Sequence, residues 1–269
     1  MKIFLGQGLL LDIKINNMKT QITIIGFGTM GKAIGKALAK HRTFRVIGID
    51  KINSNSKLTE KNIKQSDFII LAIKPQDAKV AIEKYKIFFN KKSILISIMA
   101  GVSIKNLATL SGHKKIIRMM PNLGLSVNEG IAVWRASGLS KEEVKNAKKL
   151  IDKISVNFEV KNEDTINKIT AISGSGPAYF FLLANCMQEA CTKLGLNKNQ
   201  SKLLVQKTFS ASALLGKEGA YSELINKIAS KKGTTEAALE IFKKNRIEEI
   251  VFQAVAAAYH RAKELNNEQ

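Results

Sequence analysis

Gly26-Phe27-Gly28-Thr29-Met30-Gly31 has the spacing G-x-G-x-x-G and directly follows the apolar run Ile22 to Ile25. That setting, a strand then a tight turn then a helix, is one in which glycines handle phosphate. The first glycine allows the turn, the second lets backbone approach a pyrophosphate, and the third permits close packing of helix on sheet. N–H groups at the helix start, where Thr29 and Met30 stand, then hold the phosphates. Asp50 closes the next strand-like run about 20 residues on, where a carboxylate accepts from a ribose 2′-hydroxyl. Lys51, Asn53, Ser54 and Ser56 crowd the same place and suit a 2′-phosphate, and a plain turn residue is the alternative role for Asp50. The expected cofactor is therefore NADPH or NADH, with the choice left open.

Two further loops belong to the same edge. Lys74-Pro75-Gln76 follows the apolar run 68–73, and Ala100-Gly101-Val102 follows the run 94–98. Ligands of open parallel sheets bind outside the carboxyl ends of the strands, so Ala72, Lys74, Pro75 and Ala100 are expected to border the cofactor. The small residues would admit a flat ring. Surface charge alone is the other reading of Lys74. Much later, about 140 residues beyond the fingerprint, Ala171-Ile172-Ser173-Gly174-Ser175-Gly176-Pro177-Ala178-Tyr179 forms a second Gly/Ser-rich segment. It opens a region of helical pattern, and the pair of segments points to a small NAD(P)H-dependent reductase.

The elements that must position these residues alternate. Met30, Ala33, Ile34, Ala37 and Leu38 recur at i, i+3, i+4, i+7 and i+8, one apolar helix face. Strand-like runs at 45–49, 68–73, 94–98 and 116–119 are separated by helical or loop segments, the signature of a parallel sheet with crossover helices. Runs at 131–134 and 156–160 look like added strands flanking a helix, which Ser140 and Glu143 open as a capping box. Beyond about residue 162 strand signals cease. Long amphipathic stretches at 179–194, 199–215 and 246–265 take over, rich in small residues such as Ala211, Ala213 and Ala254. Their apolar faces suit packing within the chain or a dimer interface. The reading is α/β: an N-terminal Rossmann-like dinucleotide-binding domain over residues 19–162, then an all-α half over 163–269. Residues 1–18 read as an extension. Met18-Lys19-Thr20 leads straight into the first strand, so translation is expected to begin at Met18. Asp12, Lys14, Asn16 and Asn17 stand where a secretory cleavage site would lie, so no such signal is expected.

Composition narrows the function classes. A chain of 269 residues, 45% hydrophobic and 24% charged, is that of a soluble globular protein, and its apolar runs are strand-length, so no membrane association is expected. Cys186 and Cys191 lack paired or metal-binding spacing and read as reduced residues of a cytoplasmic protein. His41, His113 and His260 are scattered, so no metal site is expected. The net charge of +21 comes from lysines spread along the chain, with six arginines. This reads as a solvated lysine-rich surface that attracts anionic ligands rather than a nucleic-acid interface.

The fingerprint, I-K-P-Q at 73–76, A-G-V-S-I at 100–104, M-P-N at 120–122, S-G-S-G-P-A-Y at 173–179 and G-T-T at 233–235 form an ordered set. That set resembles the pyrroline-5-carboxylate reductase family over essentially all of residues 19–265. The resemblance implies hydride transfer from reduced nicotinamide to the C=N carbon of 1-pyrroline-5-carboxylate, giving L-proline. It also implies that residues 163–269 are an all-α dimerisation and substrate-binding domain, in a homodimer or higher oligomer whose active sites are assembled between subunits. Gly233, Thr234 and Thr235 precede an apolar run, and N–H groups at that helix start offer a carboxylate site. Matching the motif, Thr235 is the donor toward the imine nitrogen, with Ser230 and Ser175 as supporting contacts. A threonine hydroxyl is too weak an acid to give up its proton, so positioning is its expected role. Service as N-cap residues is the alternative for Thr234 and Thr235. Two departures stand out: Lys231-Lys232 replaces the Pro-Gly of the family's S-P-G-G-T-T, and Leu123-Gly124 replaces the Thr-Pro of M-P-N-T-P. The remaining readings are reduction of another cyclic imine or small oxo-acid on the same plan, and a non-catalytic nucleotide-sensing or nucleic-acid-binding protein. Lys168 is the nearest match to the early helical lysine of hydroxyacid dehydrogenases, and the S-G-S-G-P-A-Y segment argues against that role.

Overall fold

The computed structural model describes residues 19–50 and 57–267; the extension 1–18 and the residues Lys51, Asn53, Ser54 and Ser56 lie outside the described residues. Strands β1 (Thr20–Ile25), β2 (Phe44–Ile49), β3 (Phe68–Leu71), β4 (Ile94–Ser97), β5 (Ile116–Pro121), β6 (Ile131–Ser137) and β7 (Val156–Glu159) form one sheet in the order 2-1-3-4-5-6-7. Helices α1 (Thr29–Ala39), α2 (Lys57–Lys64), α3 (Ala78–Tyr85), α4 (Ile104–Ser111) and α5 (Lys141–Ile151) connect and cover it. Strands β3 and β4 are buried along their whole length, which is why they read as unbroken apolar runs. Phe68 and Ile70 pack toward α1 and α5 with Ile34, Leu38 and Trp134, while Ile69 and Leu71 pack toward α3 and α4 with Ile82 and Leu107.

Strands β1 to β5 are mutually parallel, but β6 runs antiparallel to β5 and β7 parallel to β6. The last two strands, read from sequence only as added strands, thus run against the first five. A parallel crossover needs about a dozen residues or more, and the link from β5 to β6 is a short turn through the 3₁₀ segment Leu123–Val127. The α5 capping box is present as read: Ser140 Oγ accepts from Glu143 N, and the Glu143 carboxylate accepts from Ser140 N.

The chain then becomes helical: α6 (Asp164–Ile169), a π-helical turn (Thr170–Gly174), α7 (Gly176–Lys193), α8 (Lys198–Leu215), α9 (Tyr221–Ile228), α10 (Thr234–Lys244) and α11 (Ile247–Asn267). The three long helices lie close to where the periodicity puts them; α6 and α9 are additional. Helices α7 and α8 pack as a hairpin, with the Phe180 and Phe209 rings 6.2 Å apart. Much of this half is uncovered: Phe180 is 61% exposed, Leu182 65% and Phe252 72%. Among the described residues no helix is long and apolar enough to cross a membrane.

A buried guanidinium joins the halves. Arg118 on β5 is 2% exposed; it donates to Glu163 Oε1 at 2.8 Å and to Asn167 Oδ1 at 2.6 Å. Its Nε is buried without a partner. Glu163 Oε1 also accepts from the Ile104 N–H that opens α4, at 2.8 Å. Next to it, Asp164 accepts from the Tyr259 hydroxyl of α11 at 2.9 Å. Burial pushes the Asp164 carboxyl upward, but hydrogen bonds from Tyr259 and Asn167 and the charge of Lys168 outweigh it and hold the group below the usual aspartate range.

Removing the Glu163 carboxylate leaves Arg118 charged, buried and unpaired. Glu163→Ala is expected to cost about 3 kcal/mol in urea unfolding. Glu163→Gln keeps an acceptor for both donors and should lose about 1 kcal/mol.

Candidate active site

The fingerprint sits where β1 lies between β2 and β3, so its loop opens at the switch point of strand order, outside the carboxyl ends of β1 and β3. Gly26 has φ +94°, and a Cβ there would come within 2.5 Å of the Ala72 carbonyl oxygen and 2.7 Å of Ile73 Cγ2. The loops after β1 and β3 therefore touch through backbone. A Cβ on Gly31 would meet the Gly26 carbonyl oxygen at 2.1 Å, which fixes α1 against the loop. Gly28 is different: it is exposed, and a Cβ on it would meet nothing within 4 Å. Its missing side chain keeps space open on the ligand side. No side chain caps α1, whose first residues are Thr29 and Met30, so its opening N–H groups remain for an anionic ligand. These residues fit the pyrophosphate of a dinucleotide.

The neighbouring loops complete the edge. Asp50 follows β2 and is half-buried; Ala72 and Pro75 are half-buried and Lys74 is exposed after β3. Pro75 opens the 3₁₀ turn Pro75–Asp77. Ala100, after β4, is half-buried and packs on the cluster of Met120, Val133 and Ile166. Gly101 has φ +71° and lies against Leu265 and Ala262 of α11.

The S-G-S-G-P-A-Y segment does more than open a helix. Thr170–Gly174 is a π-helical turn between α6 and α7, and α7 begins at Gly176 with Pro177 in its first turn, slightly ahead of the periodic pattern. Tyr179 Oη donates to the Ala171 carbonyl at 3.0 Å across the turn. A Cβ on Gly174 would lie 3.8 Å from Met120 Sδ, so the turn borders the carboxyl end of β5. Such π turns recur at functional sites. Ser175 is half-buried there and donates its N–H to the Thr170 carbonyl at 2.9 Å.

Ser230 to Thr235 forms the entry to α10. Gly233 is the N-cap residue and no side chain caps the helix, so neither Thr234 nor Thr235 serves as its N-cap. Thr234 is exposed and Thr235 half-buried. Ser230 is exposed, and its carbonyl accepts from Gly233 N at 3.0 Å. Lys232 takes φ +58°, the left-handed conformation, and its N–H donates to the Glu236 carboxylate. This is the position where the resembling family carries glycine.

The structure thus brings together the loops at 26–31, 72–75 and 100–101, Met120 and the π turn. The start of α10 belongs to the helical side, with α10 packed on α11. Met120 and the α11 residues Ala262 and Leu265 are contributors that residue-by-residue reading missed. No local pattern marks the last turn of a helix as a partner of a loop far away in sequence.

Gly28→Ala should leave thermal stability unchanged but weaken nucleotide binding about tenfold or more by fluorescence titration, because the added methyl enters ligand space. Gly26→Ala should instead lower the melting temperature, because its Cβ strikes backbone. At Lys232 the left-handed conformation costs about 1–2 kcal/mol, against about 0.5–1 kcal/mol for glycine's lost freedom. Lys232→Gly should therefore raise unfolding stability by about 0.5–1 kcal/mol, whereas Lys232→Ala should not.

Residues 163–265 match the family model described as pyrroline-5-carboxylate reductase dimerisation, and residues 21–101 match one described as NADP oxidoreductase coenzyme F420-dependent. The chain is 33% identical over 221 residues to the pyrroline-5-carboxylate reductase of Pseudomonas aeruginosa, covering 81% of this chain and 80% of that one. It is 32% identical over 263 residues to the Haemophilus influenzae enzyme, covering 91% and 97%. Among solved structures it superposes on Plasmodium falciparum pyrroline carboxylate reductase with NADP bound, with a TM-score of 0.81 and 26% identity over 92% of this chain and 98% of that one. With the nucleotide loop, the π turn and the exposed helical half all matched along nearly the whole chain, it belongs to the pyrroline-5-carboxylate reductase family.

Proposed function

We propose that this chain reduces the C=N bond of 1-pyrroline-5-carboxylate to give L-proline, using NADPH or NADH, as a homodimer or larger assembly. The observation that carries the reading is the continuous edge from the Gly26–Gly31 loop through Ala72 and Ala100 to Met120 and the π turn. Gly26, Gly28, Thr29, Met30 and Gly31 hold the pyrophosphate through backbone. Asp50 lies on the ribose side, and Ala72, Lys74, Pro75 and Ala100 border the cofactor. Reduced nicotinamide supplies the hydride when bound.

The chain's own residues orient the acceptor. N–H groups at Thr234 and Thr235 bind the substrate carboxylate at the start of α10, which has eleven residues and no competing side-chain cap, while Gly233, its own N–H held by the Ser230 carbonyl, shapes the turn that presents them. The half-buried Thr235 hydroxyl hydrogen-bonds the ring nitrogen and favours the charge distribution that accepts hydride. Ser175 and Ser230 are supporting contacts. The broad apolar exposure of α7 to α11 supports assembly with a second copy, whose α10 completes the site. The two functional units are residues 19–162 and 163–269. Free Cys186 and Cys191, the first of them exposed, support a reducing, cytoplasmic setting.

The test is oxidation of NADPH and NADH by the purified protein with pyrroline-5-carboxylate. No substrate-dependent oxidation of either nucleotide would overturn the reading. For Thr235→Ala, turnover is expected to fall on the order of 10²-fold while nucleotide affinity stays within about twofold. Equal loss of both would assign Thr235 a structural role instead.

A further inference from the structure

The start of α4 is capped largely from the other half of the chain. Within the helix, Ser103 Oγ accepts from Asn106 N at 3.2 Å. The Ile104 N–H goes to Glu163 Oε1, and the Ser103 N–H goes to Asn266 Oδ1 at 3.0 Å. The Asn106 side-chain amide returns to the Asn266 carbonyl at 2.9 Å. The N–H groups of Ser103, Ile104 and Asn106 at the helix mouth thus all have protein acceptors. Two residues upstream, Gly101 is left-handed at φ +71°, and a Cβ on it would meet Leu265 Cβ at 2.3 Å and the Ala262 carbonyl oxygen at 2.9 Å. Ala262 is 3% exposed, and Tyr259 anchors the same stretch of α11 to Asp164.

The last turn of α11 therefore lies directly on the loop that carries Ala100. A segment built of Ala, Gly, Val and Ser has little side-chain bulk to hold its own shape, and glycine widens the conformations open to it. Here the shape is imposed by one helix end, through a backbone contact at Gly101 and hydrogen bonds at Ser103 and Asn106.

We infer that Asn266 is a positioning residue for the cofactor side of the active site: it holds loop 100–103 in the form that receives the nicotinamide nucleotide. This rests on the proposal that Ala100 borders the cofactor. It makes nucleotide affinity depend on the docking of the C-terminal helix. The essential group is an acceptor aimed at the Ser103 N–H. A carboxylate meets that need and interacts favourably with the positive end of α4, whereas a methyl does not.

The experiment compares Asn266→Ala, Asn266→Asp and Gly101→Ala in the full chain by nucleotide titration, steady-state kinetics and thermal unfolding. For Asn266→Ala, KM and Kd for reduced nicotinamide nucleotide should rise about fivefold, the scale of one lost buried hydrogen bond. Its kcat should change less than about twofold and its KM for pyrroline-5-carboxylate should not move. Asn266→Asp should restore nucleotide affinity, and Gly101→Ala should show the same nucleotide-side defect in stronger form. A melting temperature lowered by Asn266→Ala without change in nucleotide KM or Kd would overturn the inference, leaving only a structural cap. So would an Asn266→Asp variant as impaired as the alanine. If Gly101→Ala does not fold, the two Asn266 variants decide. Failure of the wild type to reduce pyrroline-5-carboxylate would sink the functional reading alone, because nucleotide titration still tests the positioning role.

Discussion

The salt bridge of Arg118 with Glu163 is the interaction on which the arrangement of the site depends. Arg118 rises from the middle of β5 on the face turned toward α4 and α6, and Glu163 stands where the chain leaves the sheet for the helices. One carboxylate oxygen serves both the guanidinium and the first N–H of α4. Desolvating such a pair offsets much of its Coulomb attraction, so it contributes direction more than net stability. Direction is what the site needs: α6 is drawn against the carboxyl end of the sheet, where Ile166 packs with Met120 and Val133 beneath Ala100. The unpartnered Nε of Arg118 is a cost accepted to place two other bonds.

Around that joint, the cofactor side is built mostly from main chain. Gly26 and Ala72 meet backbone to backbone, Gly31 seats α1 on the loop, and Gly28 leaves room for a ligand. Recognition of this kind tolerates wide change in surface residues, which is how a chain carrying so many lysines keeps a nucleotide crevice of ordinary form. In the proposed reaction the side-chain chemistry falls to Thr235 at the start of α10, on the helical side. The π turn borders the cofactor side at Met120 and is held across its wider pitch by the Tyr179 hydroxyl.

Much of this was legible because it is local. The fingerprint, the helix face from Met30 to Leu38 and the Ser140–Glu143 box are short-range patterns with direct mechanical meaning. The Asn197–Gln200 box that opens α8 is equally local and went unread, since Asn and Gln there announce themselves less than Ser and Glu. Strand direction was not legible: the runs at β6 and β7 mark strands without saying which way they point, and the short link from β5 decided their sense. The role of Asn266 could not be read at all. Its partners Ser103 and Asn106 lie in another element, and one asparagine near a chain end carries no periodic signal. The conformation of Lys232 was hidden for the opposite reason, since lysine is the wrong residue to announce a left-handed turn.

The uncovered apolar faces of α7 to α11 have a thermodynamic meaning beyond assembly. The sheet buries its own core within one chain, whereas Phe180, Leu182 and Phe252 stand exposed on a single copy of a chain whose family associates through this half. For such a protein the folded state of the helical half is favoured by mass action, and its melting point rises with protein concentration. Dilution then acts as a denaturant with a preferred target. The helical layer, with its apolar faces bare, is the part that dilution weighs against, whereas the sheet carries its own core in each copy.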